Sequence, residues 1–371
     1  MQQSELTYQI ALTLLDGIGD VLTKNLIAYC GNAEQVFKMK PSHFEKIPGI
    51  GSVIAKSIVN SKELFERAEK EVQFILDNKI DPFFFTDKGY PQRLKNCHDG
   101  PAMLYYKGNA DLNAQKIVSV VGTRTPSAYG KQTTEKFIEE LKNSGILVVS
   151  GLAYGIDVTA HKASLDNDLN TVGVLAHGLD RLYPSVHAPL AKRMIYQGGL
   201  LTEHISETNP DRENFPKRNR IVAGICDALV VVESKRGGGS LITATIANAY
   251  NKDVFAFPGK VGDVLSEGCN GLIKTNKASL IESVADLFYI MNWREDAKPV
   301  KKSAQIPLLL NLSNDEQKIV NVFTSEKHQL HIDEICYATN FPISKTSSCL
   351  LQLEFANVIT SLPGKVYSLK S

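Results

Sequence analysis

The chain has 371 residues, which is too long for one ordinary domain and fits two or three, each able to bury its own core. Its 41 Lys and Arg residues nearly balance its 40 Asp and Glu residues, so a polyanion would need a local basic patch. There is no signal-peptide pattern, no apolar run of the ~18 residues that span a membrane, and no C-x-x-C pair among the six cysteines. We therefore expect a cytoplasmic protein with no membrane span, with reduced thiols and without a zinc site.

Two similar segments mark a first region, residues 1–80. They are LLDGIGDVLTKNLIAYCG at 14–31 and KIPGIGSVIAKSIVNS at 46–61. Each contains a Gly-Ile-Gly turn and an amphipathic helical stretch, which predicts an all-α domain of helix-hairpin-helix type. Such turns let backbone N–H groups face a phosphate without reading bases. The turns carry few cations apart from Lys24 and Lys56, so hairpins that serve only for packing remain the alternative.

The middle region, residues 81–295, alternates β-rich runs with segments of helical length. A helix is predicted at 129–145. Strands are predicted at 116–122, 146–151, 171–176, 199–203, 228–233 and 253–259. Nearly continuous apolar strands separated by helices are typical of a largely parallel sheet covered on both faces. The fold class we predict is therefore α/β, with a Rossmann-like domain at its centre.

Beyond the middle region the pattern changes twice. Residues 296–308 lose periodicity and gain Pro and Lys, which predicts a linker. Residues 309–371 contain helical patterns followed by two short β runs around a Pro-Gly turn, the layout of a winged helix. Its would-be recognition helix offers Lys345 but no arginine, so contact with protein instead of DNA is at least as good an interpretation.

In a doubly wound sheet, ligands bind beyond the carboxyl ends of the strands. Three loops follow such ends: 122–130, 150–165 and 234–244. Their glycines and helix starts suit a phosphate held by backbone N–H groups, and we expect them to line one continuous groove. None matches the dinucleotide fingerprint or the P-loop, so no nucleotide cofactor is predicted.

The stretch ENFPKRNR, residues 213–220, adds an aromatic ring and three cations beside the same sheet edge. Cations neutralise phosphates, and a ring offers a face on which an unpaired base stacks. Pro216 is expected to keep Asn214 and Phe215 out of a helix. The alternative is a solvated basic turn with Phe215 in the core.

Six blocks in sequence order resemble the DNA-processing protein A family, DprA, also called Smf. They are VVGTRTPSAYG, SGLAYGIDVTAHKASL, GLDRLYPSVHAPL, GGLLTEHISETNPDRENFPKRNRIVAGICDALVVVES, GGGSLITATIANAYNKDVFAFPG and GCNGLIKTNKASLI. The resemblance covers essentially residues 81–290. The resemblance implies a bacterial protein of natural transformation that binds incoming single-stranded DNA, forms a homodimer and loads the RecA recombinase. One departure is IKTNKASL, where the family has a glycine near Asn276 or Lys277.

Carried over residue by residue, the resemblance implies a set of DNA-binding positions in the loops and in the basic stretch. They are Arg124, Ser127, Gly151, Phe215, Lys217, Arg218, Asn219, Arg220, Gly238, Gly239, Ser240 and Thr243. Our hypothesis is that the four basic residues of this set contact phosphates while Phe215 stacks on a base. The protein is then a binding protein and not an enzyme.

The rival interpretation is enzymatic. GGGSLITA loosely resembles the glycine loop of nucleoside-monophosphate phosphoribohydrolases, the lysine-decarboxylase-like proteins, in which a glutamate is catalytic. Thr243 would occupy that position, and a hydroxyl cannot replace a carboxylate as general base near neutral pH. A nucleotide-binding hydrolase is therefore the disfavoured alternative.

Histidines and a carboxylate near these loops are given structural roles. Asp157 and His161 lie at i and i+4, too few ligands for a metal site, and are expected to cap their helix and hydrogen-bond locally. His177, His187 and His204 have no evident nucleophile beside them. We expect His161→Gln to leave DNA binding largely intact.

Overall fold

The computed structural model describes residues 4–44, 47, 49, 50, 58, 62–293, 312–323, 329–356, 358–362 and 364–369. The chain divides into two compact units, Met1–Asp296 and Ala297–Ser371. Most of the second predicted hairpin, 46–61, and all of the predicted linker, 296–308, lie outside the described residues. Within the described residues, no helix has the length and apolar character needed to cross a membrane.

Helices make up the start of the first unit. They are α1 (Glu5–Thr13), α2 (Asp20–Cys30), α3 (Ala33–Lys38), α4 (Pro41–Phe44) and α5 (Lys62–Asn78). The side chains of Ser4 and Asn32 cap α1 and α3 by accepting backbone N–H groups. Buried apolar residues of these helices form one core with Phe84, Met103 and Tyr105. The helices therefore pack on the sheet that follows them.

The sheet of the first unit contains nine strands among the described residues, in the order β1-β2-β6-β5-β4-β3-β7-β8-β9. The strands are β1 (Asp81–Phe84), β2 (Met103–Gly108), β3 (Ile117–Val121), β4 (Leu147–Ser150), β5 (Thr171–Val174), β6 (Gly198–Thr202), β7 (Ala228–Val231), β8 (Asp253–Ala256) and β9 (Ser279–Leu280). Pairing is parallel from β6 through to β9, and antiparallel where β2 joins β1 and β6. The predicted largely parallel sheet is confirmed, but the sequence pattern missed the antiparallel strands β1 and β2 and the short parallel strand β9.

Helices cover both faces of this sheet. They are α6 (Gln92–Lys95), α7 (Ala128–Glu140), α8 (Ile156–Asp166), α9 (Ala188–Tyr196), α10 (Asn214–Ile225), α11 (Gly239–Ala249), α12 (Glu267–Lys274) and α13 (Val284–Ile290). Along β3, Ile117 and Val121 join one buried core while Val118 and Val120 join the other. Successive strand residues point to opposite faces, so a strand buried on both sides is apolar throughout. The Rossmann-like architecture is confirmed.

Two local expectations are settled by the backbone. Pro216 lies in the first turn of α10, so Asn214 and Phe215 are helical and the expectation that Pro216 excludes them was wrong. A proline is tolerated there because the first helical N–H groups have no partner inside the helix. Asn276 adopts φ 53°, a left-handed conformation that asparagine tolerates, which explains how this chain manages without the family's glycine.

The second unit has the layout of a winged helix, as predicted. It consists of α14 (Asn314–Val320), β10 (Gln329–His331), α15 (Ile332–Thr339), α16 (Ile343–Phe355), β11 (Ile359–Leu362) and β12 (Val366–Leu369), with an antiparallel sheet in the order β10-β12-β11. On α16, Lys345 forms an ion pair with Asp315 at 2.8 Å and its ammonium group lies 4.3 Å from the centre of the Phe341 ring. This cation is therefore engaged within its own unit.

Candidate nucleic-acid interface

Loops at the carboxyl edge of the parallel sheet enclose one cavity of about 340 Å³. The loops after β3, β4 and β7 all contribute to its wall, together with α10. The lining residues are Val121, Gly122, Thr123, Arg124, Ala153, Asp157, Arg218, Asn219, Ser234, Lys235, Gly238, Gly239, Ser240 and Thr243. The carboxyl ends of adjacent parallel strands open at the same edge, so loops far apart in sequence meet there.

At the rim of this cavity a cation lies over an aromatic ring. The guanidinium carbon of the exposed Arg124 is 5.4 Å from the centre of the Phe215 ring. The ring of Phe215 also meets that of Tyr183 edge-on, with 6.1 Å between ring centres. Phe215 is half-buried and not a core residue, so part of its surface remains accessible.

Arg218 forms part of the cavity wall from inside the protein. Its side chain is buried, and its Nη1 donates to the carbonyl oxygens of Gly151 and Val174. Burial lowers the pKa of Arg218 to about 10, with the charge of Asp157 opposing and that of Arg124 adding to this effect. A Cβ atom at residue 151 would collide with the guanidinium group of Arg218, so this strand end requires glycine.

The carboxyl group of Asp157 faces Arg218 and is itself buried. It accepts the backbone N–H groups of Gly151 at 3.2 Å and Ala153 at 3.3 Å. Burial raises the pKa of Asp157, and Arg218 partly offsets this effect. Asp157 thus holds the loop after β4 by local hydrogen bonds, as predicted, but α8 has no side-chain cap, so the predicted capping role was wrong.

A close approach of two loops fixes the position of Arg124. Gly155 has φ 82°, and a Cβ atom there would run into the backbone of Thr123 and Arg124. Ile156 N–H then donates to Thr123 O at 3.1 Å. Glycine is needed at 155 both for its left-handed backbone and for this contact.

The glycine loop after β7 presents the start of α11 to the cavity. Gly238 precedes this helix without a side-chain cap, and a Cβ atom at Gly239 would meet open space. Helix starts of this kind bind anions because their first N–H groups lack intrahelical partners. Ser240 donates its hydroxyl to Ser234 Oγ at 2.8 Å, and Thr243 is buried behind it.

Lys235 also lines the cavity and is exposed, although it was not among the predicted site residues. The signal was present in the sequence, because Lys235 and Arg236 form a basic pair directly before the glycines. The structure thus adds a second exposed cation to the same cavity as Arg124.

Some predicted positions lie outside the cavity lining. Ser127 caps α7 by accepting from Gly130 N–H at 3.1 Å, and its hydroxyl donates to Glu233 at 2.5 Å. Gly151 lies behind Arg218, and Phe215 stands at the rim. Lys217 is exposed on α10. Successive residues of a helix point in directions about 100° apart. The cations of α10, Lys217, Arg218 and Arg220, therefore cannot all face one groove.

Arg220 shows this separation most clearly. Its guanidinium group donates to the carboxylates of Glu203 and Asp20, the latter at 3.0 Å, and to the carbonyl oxygen of Asp99. Asp20 Oδ1 in turn accepts the N–H of Ala102 at 2.7 Å. Arg220 thus joins the amino-terminal helices to the sheet, and the phosphate contact predicted for it stays a prediction.

Two histidines near the cavity, His161 and His177, are buried and make hydrogen bonds inside the protein. His161 is fully buried with Nδ1 at 2.6 Å from Thr171 Oγ1, and burial lowers its pKa to about 3. His177 accepts the N–H of Tyr183 through Nε2 at 3.1 Å, while its Nδ1 lies 2.9 Å from Gly178 O. Both make the local hydrogen bonds expected of structural side chains.

Comparison with known proteins places this arrangement in a family. The sequence pattern of the family "DNA recombination-mediator protein A" matches residues 82–292, and that of the "DprA winged helix domain" matches residues 304–365. "Protein Smf" of Synechocystis sp. is 30% identical, over 99% of this chain and 99% of its own length.

Two solved structures agree with this relationship. The X-ray structure of DNA processing protein A from Streptococcus pneumoniae is 33% identical, covers 78% of this chain and 98% of its own, and has a TM-score of 0.68. That of the Helicobacter pylori protein, described for its single-stranded DNA binding mode, is 26% identical, covers 58% and 96%, and has a TM-score of 0.53.

The fold and the cavity thus define an α/β protein with a basic, glycine-rich sheet edge. The chain belongs to the DNA recombination-mediator protein A family, DprA or Smf, as its sequence blocks indicated.

Proposed function

We propose that this protein binds single-stranded DNA at the sheet-edge cavity. The observation that carries the proposal is the placement of Arg124 over Phe215 at the rim of the cavity. The first residues of α11 line the same cavity. A cation, an accessible ring and unpaired helical N–H groups are what a nucleotide with its phosphate requires. The single-stranded DNA binding described for the Helicobacter pylori relative supports the same ligand.

Preference for a single strand follows from the ring. A half-buried Phe215 offers a base a face only when that base has left its own stack, and duplex DNA holds its bases stacked. Phosphates are expected next to Arg124, Lys217 and Lys235, which are all exposed. Helix α11 adds backbone donors from Gly239 onward.

The remaining assigned residues divide into direct and supporting roles. We assign Asn219, Gly238, Ser240 and Thr243 to the cavity wall, where a bound nucleotide touches them. Arg218, Gly151 and Ser127 hold the loops that carry the site, since each is engaged with protein atoms. The proposed function does not need Arg220 to touch DNA.

The flanking regions are assigned to scaffolding. We propose domains at 1–80, 81–295 and 309–371, with 296–308 as the linker. In the first domain, the carboxylate of Asp20 at the start of α2 accepts hydrogen bonds from Ala102 N–H and from Arg220. These contacts support a packing role for the described hairpin. In the last, the ion pair of Lys345 with Asp315 supports a role other than reading DNA.

Binding and not catalysis is the proposed activity. Asp157 is the one carboxyl group among the cavity-lining residues that the structure describes, and it is held by backbone N–H groups and Arg218. It is therefore poorly placed to act as a general base. Incubation of the protein with nucleoside monophosphates, followed by chromatography, should release no base; stoichiometric excess of free base over protein would contradict this proposal.

In the bacterial cytoplasm the bound strand would be passed to RecA by a homodimer, and both parts rest on family membership. Dimerisation would join two grooves and raise avidity for a long strand. Sedimentation velocity should show a dimer, and the protein should shorten the lag of RecA filament assembly on coated single strands. A monomer at all concentrations, or an unchanged lag, would contradict the respective part.

Fluorescence anisotropy tests the ligand itself. A labelled oligothymidylate and a duplex of matched length are titrated with the full chain over a series of salt concentrations. We expect tighter binding of the single strand, with affinity falling as salt rises because phosphate contacts release counterions. Equal affinity for the duplex would contradict a site built on unstacked bases.

A further inference from the structure

A second cavity, of about 720 Å³, opens between α7 and α8 beside the first. Arg124 lines both cavities, so they meet at this side chain. The next contact between the cavities is at two successive loop residues: Ala153 lines the first cavity and Tyr154 lines the second. A strand held in the first cavity therefore has a direct path into the second.

Tyr154 is a fixed and accessible ring in this second cavity. Its side chain is 48% exposed. One part of the ring packs against His187, with 5.1 Å between ring centres and 64° between planes. His187 is itself buried, and burial together with Lys162 lowers its pKa, so it is a neutral support near pH 7. A ring supported on one side and open on another is suited to stacking.

Three cations line the same cavity as Tyr154. Arg124, Lys131 and Lys162 line the second cavity, are exposed, and have no ion pair within the described part of the chain. The start of α7 is already occupied by Ser127 and the carboxylate of Glu233, so the favourable charge comes from these three side chains. The near half of the cavity therefore favours phosphate.

The far half of the cavity has the opposite charge. Glu135 and Glu139 continue along the face of α7 that begins with Lys131, while Asp166, at the end of α8, is paired with Arg193 at 2.7 Å. From the start of α8 to Lys162 the helix rises by about 9 Å. The two glutamates are therefore expected to repel the DNA backbone beyond Lys131.

We propose that the DNA strand bound at the sheet edge continues past Arg124 into the second cavity, where Tyr154 stacks on one base and Lys131 and Lys162 contact the adjoining phosphates. The acidic far half then turns the strand out to solvent. This inference rests on the proposed function, because it extends the same DNA site by a stacking residue and two cations.

The test compares Tyr154→Ala and Tyr154→Phe with wild type, using the full chain and labelled oligothymidylates of about 4 to 16 nucleotides, the range of site sizes in single-strand binders. Tyr196→Ala is the matched control, since Tyr196 is 82% exposed and lies outside both cavities. Tyr154→Ala should raise the Kd of the longer oligonucleotides about 5- to 150-fold, which corresponds to ~1–3 kcal/mol for one stacked base. Tyr154→Phe and Tyr196→Ala should bind as wild type, and the shortest bound oligonucleotide should not distinguish the variants.

Arg124→Ala separates this inference from the proposed function. Weaker binding by Arg124→Ala with no change in Tyr154→Ala would overturn the proposal that DNA enters the second cavity and would leave DNA binding in the first cavity standing. No change in either variant would overturn both. In parallel, an oligonucleotide carrying 5-iododeoxyuridine should photo-cross-link to the peptide containing Tyr154; adducts on other peptides alone would also overturn the inference.

Discussion

Arg124 and Phe215 meet at the rim of the sheet-edge cavity, where the guanidinium carbon lies 5.4 Å from the centre of the ring. Arg124 comes from the loop after β3 and Phe215 from helix α10, and the backbone of each is held independently. The contact of Gly155 with the backbone at 123–124 fixes one, and the first turn of α10 fixes the other. Cation and ring are thus in position before a nucleotide arrives, which lowers the cost of ordering the site on binding.

Replacement of the ring tests base stacking in the first cavity. Phe215→Ala should raise the Kd for an oligothymidylate about 5- to 150-fold, because one stacked base contributes ~1–3 kcal/mol. Phe215→Trp keeps an aromatic face and should retain most of the affinity. Anisotropy titrations at one salt concentration measure both. Equal affinities for the alanine variant and wild type would exclude Phe215 as the stacking residue.

Two neighbouring cations on α10 should behave in opposite ways. Arg218→Ala leaves the buried carbonyl oxygens of Gly151 and Val174 without their donor and removes the charge that offsets the burial of Asp157, so it should lower the free energy of unfolding by more than about 2 kcal/mol in urea denaturation. Lys217→Ala, at an exposed position, should change stability by at most ~0.5 kcal/mol. It should instead reduce the slope of log affinity against log salt by about 0.7. A lower salt slope with unchanged stability in Arg218→Ala, and lost stability in Lys217→Ala, would show that Arg218 contacts phosphate and Lys217 supports the fold.

The pair of Arg220 and Glu203 can be removed together to test whether Arg220 touches DNA. Arg220→Ala alone should destabilise the protein by about 3–5 kcal/mol, because the carboxylate of Glu203 is left buried without its partner. The double variant Arg220→Leu/Glu203→Leu should recover much of this loss, since apolar replacement of a buried pair is often neutral. Its salt slope for single-stranded DNA should equal that of wild type. A slope lower by about 0.7 would assign Arg220 a phosphate contact.

His161 should make the fold sensitive to acid. Its pKa is about 3 in the folded protein against 6.5 when exposed, so between these values the unfolded chain binds more protons. Stability therefore falls as pH decreases from about 6.5, and His161→Gln should reduce the loss between pH 6.5 and 5 by about 2 kcal/mol. Urea denaturation at several pH values measures this. A loss as steep as that of wild type would contradict the assignment.

The titration of Glu203 does not affect the comparison of His161→Gln with wild type. Its folded pKa of about 7 exceeds its ordinary value of 4.5, so it contributes a fall in stability as pH rises through that range, opposite in sign to His161. Because both proteins carry Glu203, its contribution cancels in the difference. DNA binding by His161→Gln should remain largely intact, since His161 is fully buried beside Thr171.

The parallel core of the fold was predictable because its signal is local. Strands buried on both faces are apolar throughout, and every predicted strand from 116–122 to 253–259 is present with ends shifted by up to three residues. Strands β1 and β2 were missed because their antiparallel pairing places no full crossover helix between them. Proline in β1 further weakens a strand pattern, and β1 indeed lies at the sheet edge.

The candidate site was predictable in its location but not in its division of roles. Glycines and helix starts at strand ends identify the loops, and their convergence follows from the parallel sheet. Which cation faces the cavity depends on tertiary partners: Arg218 meets Asp157 and strand carbonyls, whereas Arg220 meets Glu203 and Asp20. Spacing within a basic stretch carries no information about such partners.

The most direct test of the account is the salt dependence of single-strand binding in Arg124→Ala. Lys70→Ala is the control, because Lys70 is exposed on α5 and lies outside both cavities. If Arg124 contacts a phosphate in the sheet-edge cavity, Arg124→Ala should bind more weakly with a log-log salt slope lower by about 0.7, and Lys70→Ala should match wild type. An unchanged affinity and slope in Arg124→Ala would contradict the account and place the DNA site away from the sheet-edge cavity.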